Sequence, residues 1–356
     1  MPPISVMLKP SSAICNMKCL YCFYHSLASQ RESFSLGFMN EEILEETIKK
    51  VFSYSDGSRV YLSFQGGEPL LAGIDFFDRA MLFIERYNTK NSETEIVIQT
   101  NGLLINEDWC VFFKKHNILI GLSLDGDEIH NINRISINGE PTFNQVLKNA
   151  KLLQKNNISF NILTVVTPQI AKDIKEIYGF FKDNNFKYLQ FIPCLKALGS
   201  LESRFCLSSK QYGDFLITLF SLYMADIMNN NYTSIRLFDN FALLAKRLPA
   251  NQCGMNGHCT HQYVVEGNGS VYPCDFYCLD QYKLGNIKDE DFSSLSKSPI
   301  AKNFISESLL LLDKCKKCSY FSLCRGGCKR ESLDLDKCEA YHRFFSNALP
   351  YLENIY

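Results

Sequence analysis

The sequence predicts an α/β protein in two parts, a partial barrel of six β/α units followed by a smaller cysteine-rich domain. Three observations carry this. Short apolar runs alternate with amphipathic segments of helix length from about residue 4 to 194. One long helix pattern, SKQYGDFLITLFSLYMADIMNNN, then ends the alternation, with its NNN (229–231) read as loop. From about residue 236 the texture becomes cysteine-rich and punctuated by glycine. The domains are therefore expected at 1–235, barrel and bridging helix together, and at 236–356, with no internal repeat or low-complexity tract.

The predicted strands are SVMLKP (5–10), VYLSFQGG (60–67), EIVIQTNG (95–102), ILIGLSLDG (118–126), ISFNILTVVT (158–167) and YLQFIPC (188–194). Between them, segments such as NEEILEETIKKVFSYS and PTFNQVLKNAKLLQKNN repeat apolar residues at helical period. Alternating units of this kind imply a parallel sheet with helices outside. Six units are too few for an eight-unit barrel, hence an open or partial one. In such barrels chemistry collects at the C-terminal ends of the strands. A cysteine triplet follows the first strand here, QGGEP the second, QTNG the third and SLDG the fourth.

Composition removes some classes of function. With 37 basic against 38 acidic side chains the net charge is -1, so no field draws in nucleic acid or an anionic membrane. MPPISVMLKP is neither a signal nor a transit peptide. No stretch approaches the roughly 20 apolar residues of a membrane helix, and a cytoplasmic protein is the simplest expectation. In that reducing compartment 15 cysteines point to metal or redox chemistry and away from disulfides.

CNMKCLYC gathers Cys15, Cys19 and Cys22 on the first loop. A structural zinc site takes four N or S ligands and disulfides take an even count. A [4Fe-4S] cube takes one thiolate per iron, so three cysteines leave one iron open to an exogenous chelate. The C-x3-C-x2-C spacing, with an aromatic residue just before the last cysteine, resembles the radical S-adenosylmethionine (SAM) superfamily. That resemblance implies that SAM completes the open iron. One electron then splits the sulfonium, giving methionine and a 5'-deoxyadenosyl radical that abstracts hydrogen. It further implies that Gly66, Gly67 and Glu68 of QGGEP meet the SAM amino group. Ser123 and Arg134 would meet its ribose and carboxylate, and Tyr21 and Leu195 its adenine.

The second part carries Cys253-x5-Cys259-x14-Cys274, then Cys315-x2-Cys318-x5-Cys324-x3-Cys328-x9-Cys338. On spacing alone two zinc sites and two iron-sulfur clusters are both open. The arrangement resembles the SPASM extension of radical SAM peptide-modifying enzymes, a small domain with a β-hairpin and helices. By that pattern Cys253, Cys259, Cys274 and Cys328 hold one auxiliary [4Fe-4S] cluster. Cys315, Cys318, Cys324 and Cys338 hold the other, making three clusters in all.

MPPxSxxxKP, CFYHSL, FQGGEPxLAG, QTNGxLI, IHNxNR, FNIL, CGMNGxC and GSVYPCDFY together are similar to the anaerobic sulfatase-maturating enzymes, from residue 1 to 345. Those enzymes oxidise a Cys or Ser in an unfolded sulfatase segment to Cα-formylglycine. The resemblance implies an electron donor such as a flavodoxin or ferredoxin. It also makes Asp275, directly after the third cysteine of the SPASM domain, the general base. The chemistry agrees: a Cβ radical beside a thiol or hydroxyl must lose one proton and one electron to become C=S or C=O. A carboxylate can take the proton, and a cluster bound through Cys274 can take the electron.

Cys110, Cys194, Cys206 and Cys278 exceed this ligand count. Cys110 and Cys194 read as packed thiols, and Cys206 as a loop residue. Cys278 stands where an apolar residue is expected by the resemblance, a departure like the short stretch from Cys328 to Cys338. A buried thiol is its plain reading; a cluster or substrate contact is the sharper one. Tyr24 and His25 could face the substrate.

Two other readings stand beside this one. A maturase of ribosomally made peptides could form thioether or carbon–carbon links on the same two-domain plan. Many of those begin with a leader-binding domain, whereas this chain is expected to enter its first strand by about residue 5. A zinc-stabilised binding protein without catalysis would be colourless and stable in air.

Overall fold

A computed structural model describes residues 3–199, 204–333 and 337–355. Along the chain run β1 (Ile4–Leu8), α1 (Phe23–Ala28), α2 (Glu41–Ser55), β2 (Val60–Phe64), α3 (Ile74–Tyr87), β3 (Thr94–Thr100), α4 (Glu107–Lys115), β4 (Leu119–Ser123) and α5 (Phe143–Lys155). There follow β5 (Phe160–Val166), α6 (Pro168–Lys172), α7 (Ile174–Asp183), β6 (Tyr188–Pro193), α8 (Ser209–Met228), β7 (Ser234–Ile235) and α9 (Arg236–Ala245). The short strands β8 (Val264–Val265), β9 (Ser270–Tyr272) and β10 (Gly285–Asn286) come next, and the helix Lys337–Leu352 lies near the C-terminus. All six expected strands form. The first four end two to three residues early, because Lys-Pro, Gln-Gly-Gly, Asn-Gly and Asp-Gly leave the ladder and become loops.

The chain groups into two compact units. The first comprises residues 1–123, 133–160 and 261–304. Its β1 pairs in parallel with β2, β2 with β3 and β3 with β4. On its other side β1 pairs in parallel with β8, which turns into antiparallel β9 and then β10. Residues 261–304 thus join this unit through the sheet. Its core contains Phe64, Phe77, Trp109 and Phe113, all buried, with Phe77 5.1 Å from Phe64 and 5.4 Å from Trp109 in edge-on contacts.

The second unit comprises residues 124–132, 161–260 and 305–356. Here β5 pairs in parallel with β6, and β6 with β7. The bridging helix α8 begins at a capping box, Ser208 with Gln211, and packs along the C-terminal helix. Phe344 on that helix sits between Phe220, Phe238 and Phe241, with ring centroids 5.4 to 5.7 Å away.

Asparagines punctuate many helices. Asn40 and Asn106 cap the starts of α2 and α4 by accepting from Ile43 and Trp109 N–H. Asn117, Asn157 and Asn185, just past α4, α5 and α7, take the left-handed conformation that stops a helix. Among the described residues no helix is long and apolar enough to cross a membrane.

Candidate active site

In the first unit the loop after β1 carries Cys15, Cys19 and Cys22. The last caps α1, its Sγ accepting from His25 N–H at 3.4 Å. The loop is clamped on two sides. On one, Gly67 N–H donates to Ser12 O (2.7 Å), Glu68 N–H to Ile14 O (2.9 Å) and Ser11 Oγ to Glu68 O (2.9 Å). On the other, Lys18 and Leu20 donate to Ile135 O and Asn133 O, and Ile137 N–H donates to Asn16 O. The glycines are a steric requirement of the first clamp: a Cβ on Gly67 would stand 2.0 Å from Ile14 O, and one on Gly66 2.8 Å from Ser12 O. Gly66 also has φ of +121°, which favours glycine.

Glu68 is fully buried, and its carboxylate is a bracket for the strand ends. It accepts from Leu70 N–H (3.0 Å), Thr100 Oγ1 (2.7 Å) and Asn101 N–H (2.8 Å). Burial pushes its pKa up to about 7, against the pull of those three donors and of the Arg134 charge. Asn101 in turn donates to Asn16 Oδ1 (2.7 Å) and lies 3.7 Å from Cys15 Sγ. The sequence marks QTNG as a strand-end loop without giving Asn101 a part in the site. Ser123, at the end of β4, accepts from Gln99 Nε2 at 3.1 Å. Arg134 donates to the Tyr21 hydroxyl at 3.2 Å, so two of the four remaining residues expected to contact SAM meet each other. Leu195 lies past β6 in the second unit, buried.

Asp275 opens a short turn directly after Cys274. Its Oδ1 lies 2.5 Å from Lys9 Nζ, as an ion pair without the alignment of a good hydrogen bond. Tyr24 is buried and donates its hydroxyl to Glu266 Oε1, which also takes Arg31 Nη1 at 2.8 Å. His25 is exposed, with its ring 5.1 Å from Phe34. Cys278 is fully buried with its S–H toward Cys274 O at 3.6 Å, and burial pushes its thiol well up. Cys110 and Cys194 are buried as well, and Cys206 is half-buried.

The second unit gathers two further groups of thiols. Cys315, Cys318, Cys324 and Cys338 line one cavity of about 70 Å³, with Tyr320, Tyr341 and His342. His342 Nε2 lies 3.4 Å from Cys318 Sγ. Cys253 opens a short turn in which a Cβ on Gly254 would meet the Cys328 Cβ at 3.1 Å. Cys253 also feels the charge of Cys259. Arg325, Gly326 and Gly327 run left-handed in succession, folding CRGGC into a tight turn. Cys274, the remaining cysteine of this sequence set, belongs to the first unit. Three residues of the short stretch before Cys338, 334–336, lie outside the described residues.

These donor sets suit iron-sulfur clusters. One water needs roughly 10–15 Å³, so a cavity of about 70 Å³ ringed by four thiols has room for a multi-atom group. Burial pushes the Cys15 thiol up to about 12, with Glu68, Cys19 and Cys22 adding to it. Such a group gives up its proton when a metal replaces it.

Known proteins agree with this geometry. Residues 10–181 match the radical SAM superfamily and residues 253–319 an iron-sulfur cluster-binding domain. The chain is 44% identical to a cysteine-type anaerobic sulfatase-maturating enzyme of Clostridium perfringens strain 13, covering 100% of this chain and 99% of that one. It is 29% identical to a serine-type enzyme of Bacteroides thetaiotaomicron, covering 99% and 91%. The structure matches native anSMEcpe with bound AdoMet and the Cp18Cys peptide at a TM-score of 0.94 and 41% identity, over 99% of this chain and 98% of that one. SuiB of Streptococcus suis, at a TM-score of 0.65 and 19% identity over 93% and 73%, shares the fold alone. The chain belongs to the anaerobic sulfatase-maturating enzymes of the radical SAM superfamily.

Proposed function

We propose that the protein oxidises a cysteine residue in an unfolded sulfatase segment to Cα-formylglycine, using SAM as cosubstrate. The observation that carries this is full-length likeness at 42–44% identity to relatives named as cysteine-type, against 27–29% for those named as serine-type. When bound, the first cluster with SAM supplies the hydrogen-abstracting radical, and the auxiliary clusters supply an acceptor for one electron.

The chain's own residues do the rest. Cys15, Cys19 and Cys22 hold the first cluster on a loop that two clamps keep in place. Gly66, Gly67 and Glu68 shape the site of the SAM amino group. Ser123 and Arg134 face its ribose and carboxylate, and Tyr21 and Leu195 its adenine. Cys315, Cys318, Cys324 and Cys338 hold one auxiliary cluster, and the sequence pattern gives Cys253, Cys259, Cys274 and Cys328 to the other. Asp275 receives the proton as the substrate Cβ radical closes to C=S, its electron passing to an auxiliary cluster when that is bound. Water then replaces the sulfur, which leaves as hydrogen sulfide, to give the aldehyde. In this reading residues 1–235 are the SAM-binding part and 236–356 the auxiliary-cluster part. The protein works in the reducing cytoplasm, where its fifteen cysteines, all free of disulfides, stay available. A flavodoxin- or ferredoxin-like carrier supplies electrons.

The test is anaerobic incubation with SAM, reductant and a peptide holding a CxPxR motif, read by mass spectrometry. A mass loss matching thiol-to-aldehyde conversion is the expected result. Loss of two hydrogens with sulfur retained would instead indicate a peptide-crosslinking maturase. Asp275→Asn should still release 5'-deoxyadenosine and stall the aldehyde; wild-type aldehyde yield would remove Asp275 from the reaction.

A further inference from the structure

We infer that Lys9 is a positioning residue for Asp275, and that Tyr24, Glu266 and Arg31 form the buried seat that fixes Lys9. This rests on the reading of Asp275 as the base. The quoted MPPxSxxxKP segment contains this lysine, yet neither cluster binding nor SAM binding uses it.

The placement is built by the sheet. Lys9 follows β1 immediately, and its N–H donates to Val265 O at 2.9 Å, so the parallel pairing of β1 with β8 brings Glu266 to its side. The lysine is fully buried. Its ammonium stands 2.5 Å from Asp275 Oδ1 and 3.3 Å from the centre of the Tyr24 ring, so a carboxylate and an aromatic face hold it between them. Gly66 leaves the stem its room, since a Cβ there would come within 3.4 Å of the Lys9 Cβ. Tyr24 is fixed through its hydroxyl to Glu266, and Glu266 by Arg31; both of the latter side chains are wholly buried.

Stability does not account for such an arrangement. Buried ion pairs gain little over apolar replacements of similar size, because desolvation offsets their attraction. Two such pairs side by side around one tyrosine are instead a means of holding a carboxylate at a fixed place and angle. Burial by itself would push the Lys9 ammonium down, but Asp275, with Cys278, Tyr24 and Glu266, holds it well above its ordinary value, so the clamp stays charged.

The experiment uses the reconstituted holoenzyme and a cysteine peptide, and reads aldehyde formed per 5'-deoxyadenosine released, peptide KM and iron content. Lys9→Met should keep iron, peptide KM and deoxyadenosine release while the ratio falls by about 10- to 100-fold, the range for a reacting group misplaced by about 1 Å. Lys9→Arg should recover part of it. In an Asp275→Asn background Lys9→Met should add nothing, since the two act as one unit. A wild-type ratio in Lys9→Met, or a further loss on top of Asp275→Asn, overturns the inference. If Asp275→Asn itself is fully coupled, the base assignment fails first; if it stalls while Lys9→Met does not, only the inference fails. Should Lys9→Met lose iron, Arg31→Met combined with Glu266→Met decides in the same assay. That apolar swap removes the seat without leaving a lone buried charge. A lowered ratio supports the inference and an unchanged one refutes it.

Discussion

The clamp on the cysteine loop makes Gly67 a sterically sensitive position of the first unit. In Gly67→Ala the new methyl would stand 2.0 Å from Ile14 O, 2.5 Å from Ile14 C and 2.9 Å from Ala13 C. Non-bonded heavy atoms settle at about 3.5 Å, so the Ile14 carbonyl must retreat by about 1.5 Å. That carbonyl receives the Glu68 N–H, and the next residue is Cys15, so the movement breaks the clamp and carries the first thiolate with it. A displacement of about 1 Å can cost around 100-fold in rate. After anaerobic reconstitution the variant should lose about one third of the iron of three four-iron clusters. Where iron is retained, 5'-deoxyadenosine release should fall by about 100-fold. Gly179→Ala, in the interior of α7 with nothing near its Cβ position, is the control and should be neutral or stabilising by about 0.5–1 kcal/mol. Full iron and wild-type deoxyadenosine release in Gly67→Ala would refute the steric reasoning.

Three other outcomes follow from the structure. Glu68 binds its proton more tightly when folded, near pH 7, than at the ordinary 4.5, so its contribution to stability is greatest below pH 4.5 and is lost as pH rises through 7. That change is on the order of 3 kcal/mol; the advantage of wild type over Glu68→Gln in melting temperature should shrink across that window, and a constant gap would contradict it. Cys278→Val should keep full iron content, because the buried thiol donates to the Cys274 carbonyl and stands outside the expected ligand sets; loss of iron would mark it as a ligand. Phe344→Ala should cost about 3–5 kcal/mol. Its helix also carries Cys338, so iron in the second unit should become labile on warming before iron in the first; equal lability would count against this coupling.

Much of this architecture is legible in single stretches of sequence. The six strands, the bridging helix and the cysteine groups declare themselves through period, Gly and Pro punctuation, and spacing. Contacts set by register across strands distant in sequence do not. Lys9 meets Glu266 only because β1 pairs with β8, more than 250 residues later, and nothing near either residue signals the partner. The same cause draws 261–304 into the first unit. Asn101 stands in the legible motif QTNG, yet its reach to Asn16 and Cys15 depends on how the loops after β1 and β3 meet. The resemblance gives glycines 66 and 67 to the SAM amino group; the structure adds that they make room for the cysteine loop itself. Tyr24 shows the limit of adjacency: it neighbours the triplet in sequence, but helix α1 turns it inward toward Glu266.

Abstraction of hydrogen from the substrate Cβ is the step on which every residue assignment converges. A cysteine peptide carrying deuterium at Cβ, incubated anaerobically with SAM and the reconstituted enzyme, reports on it directly. The account expects deuterium in the released 5'-deoxyadenosine, with one labelled molecule for each aldehyde formed. Aldehyde formed alongside unlabelled deoxyadenosine would contradict it.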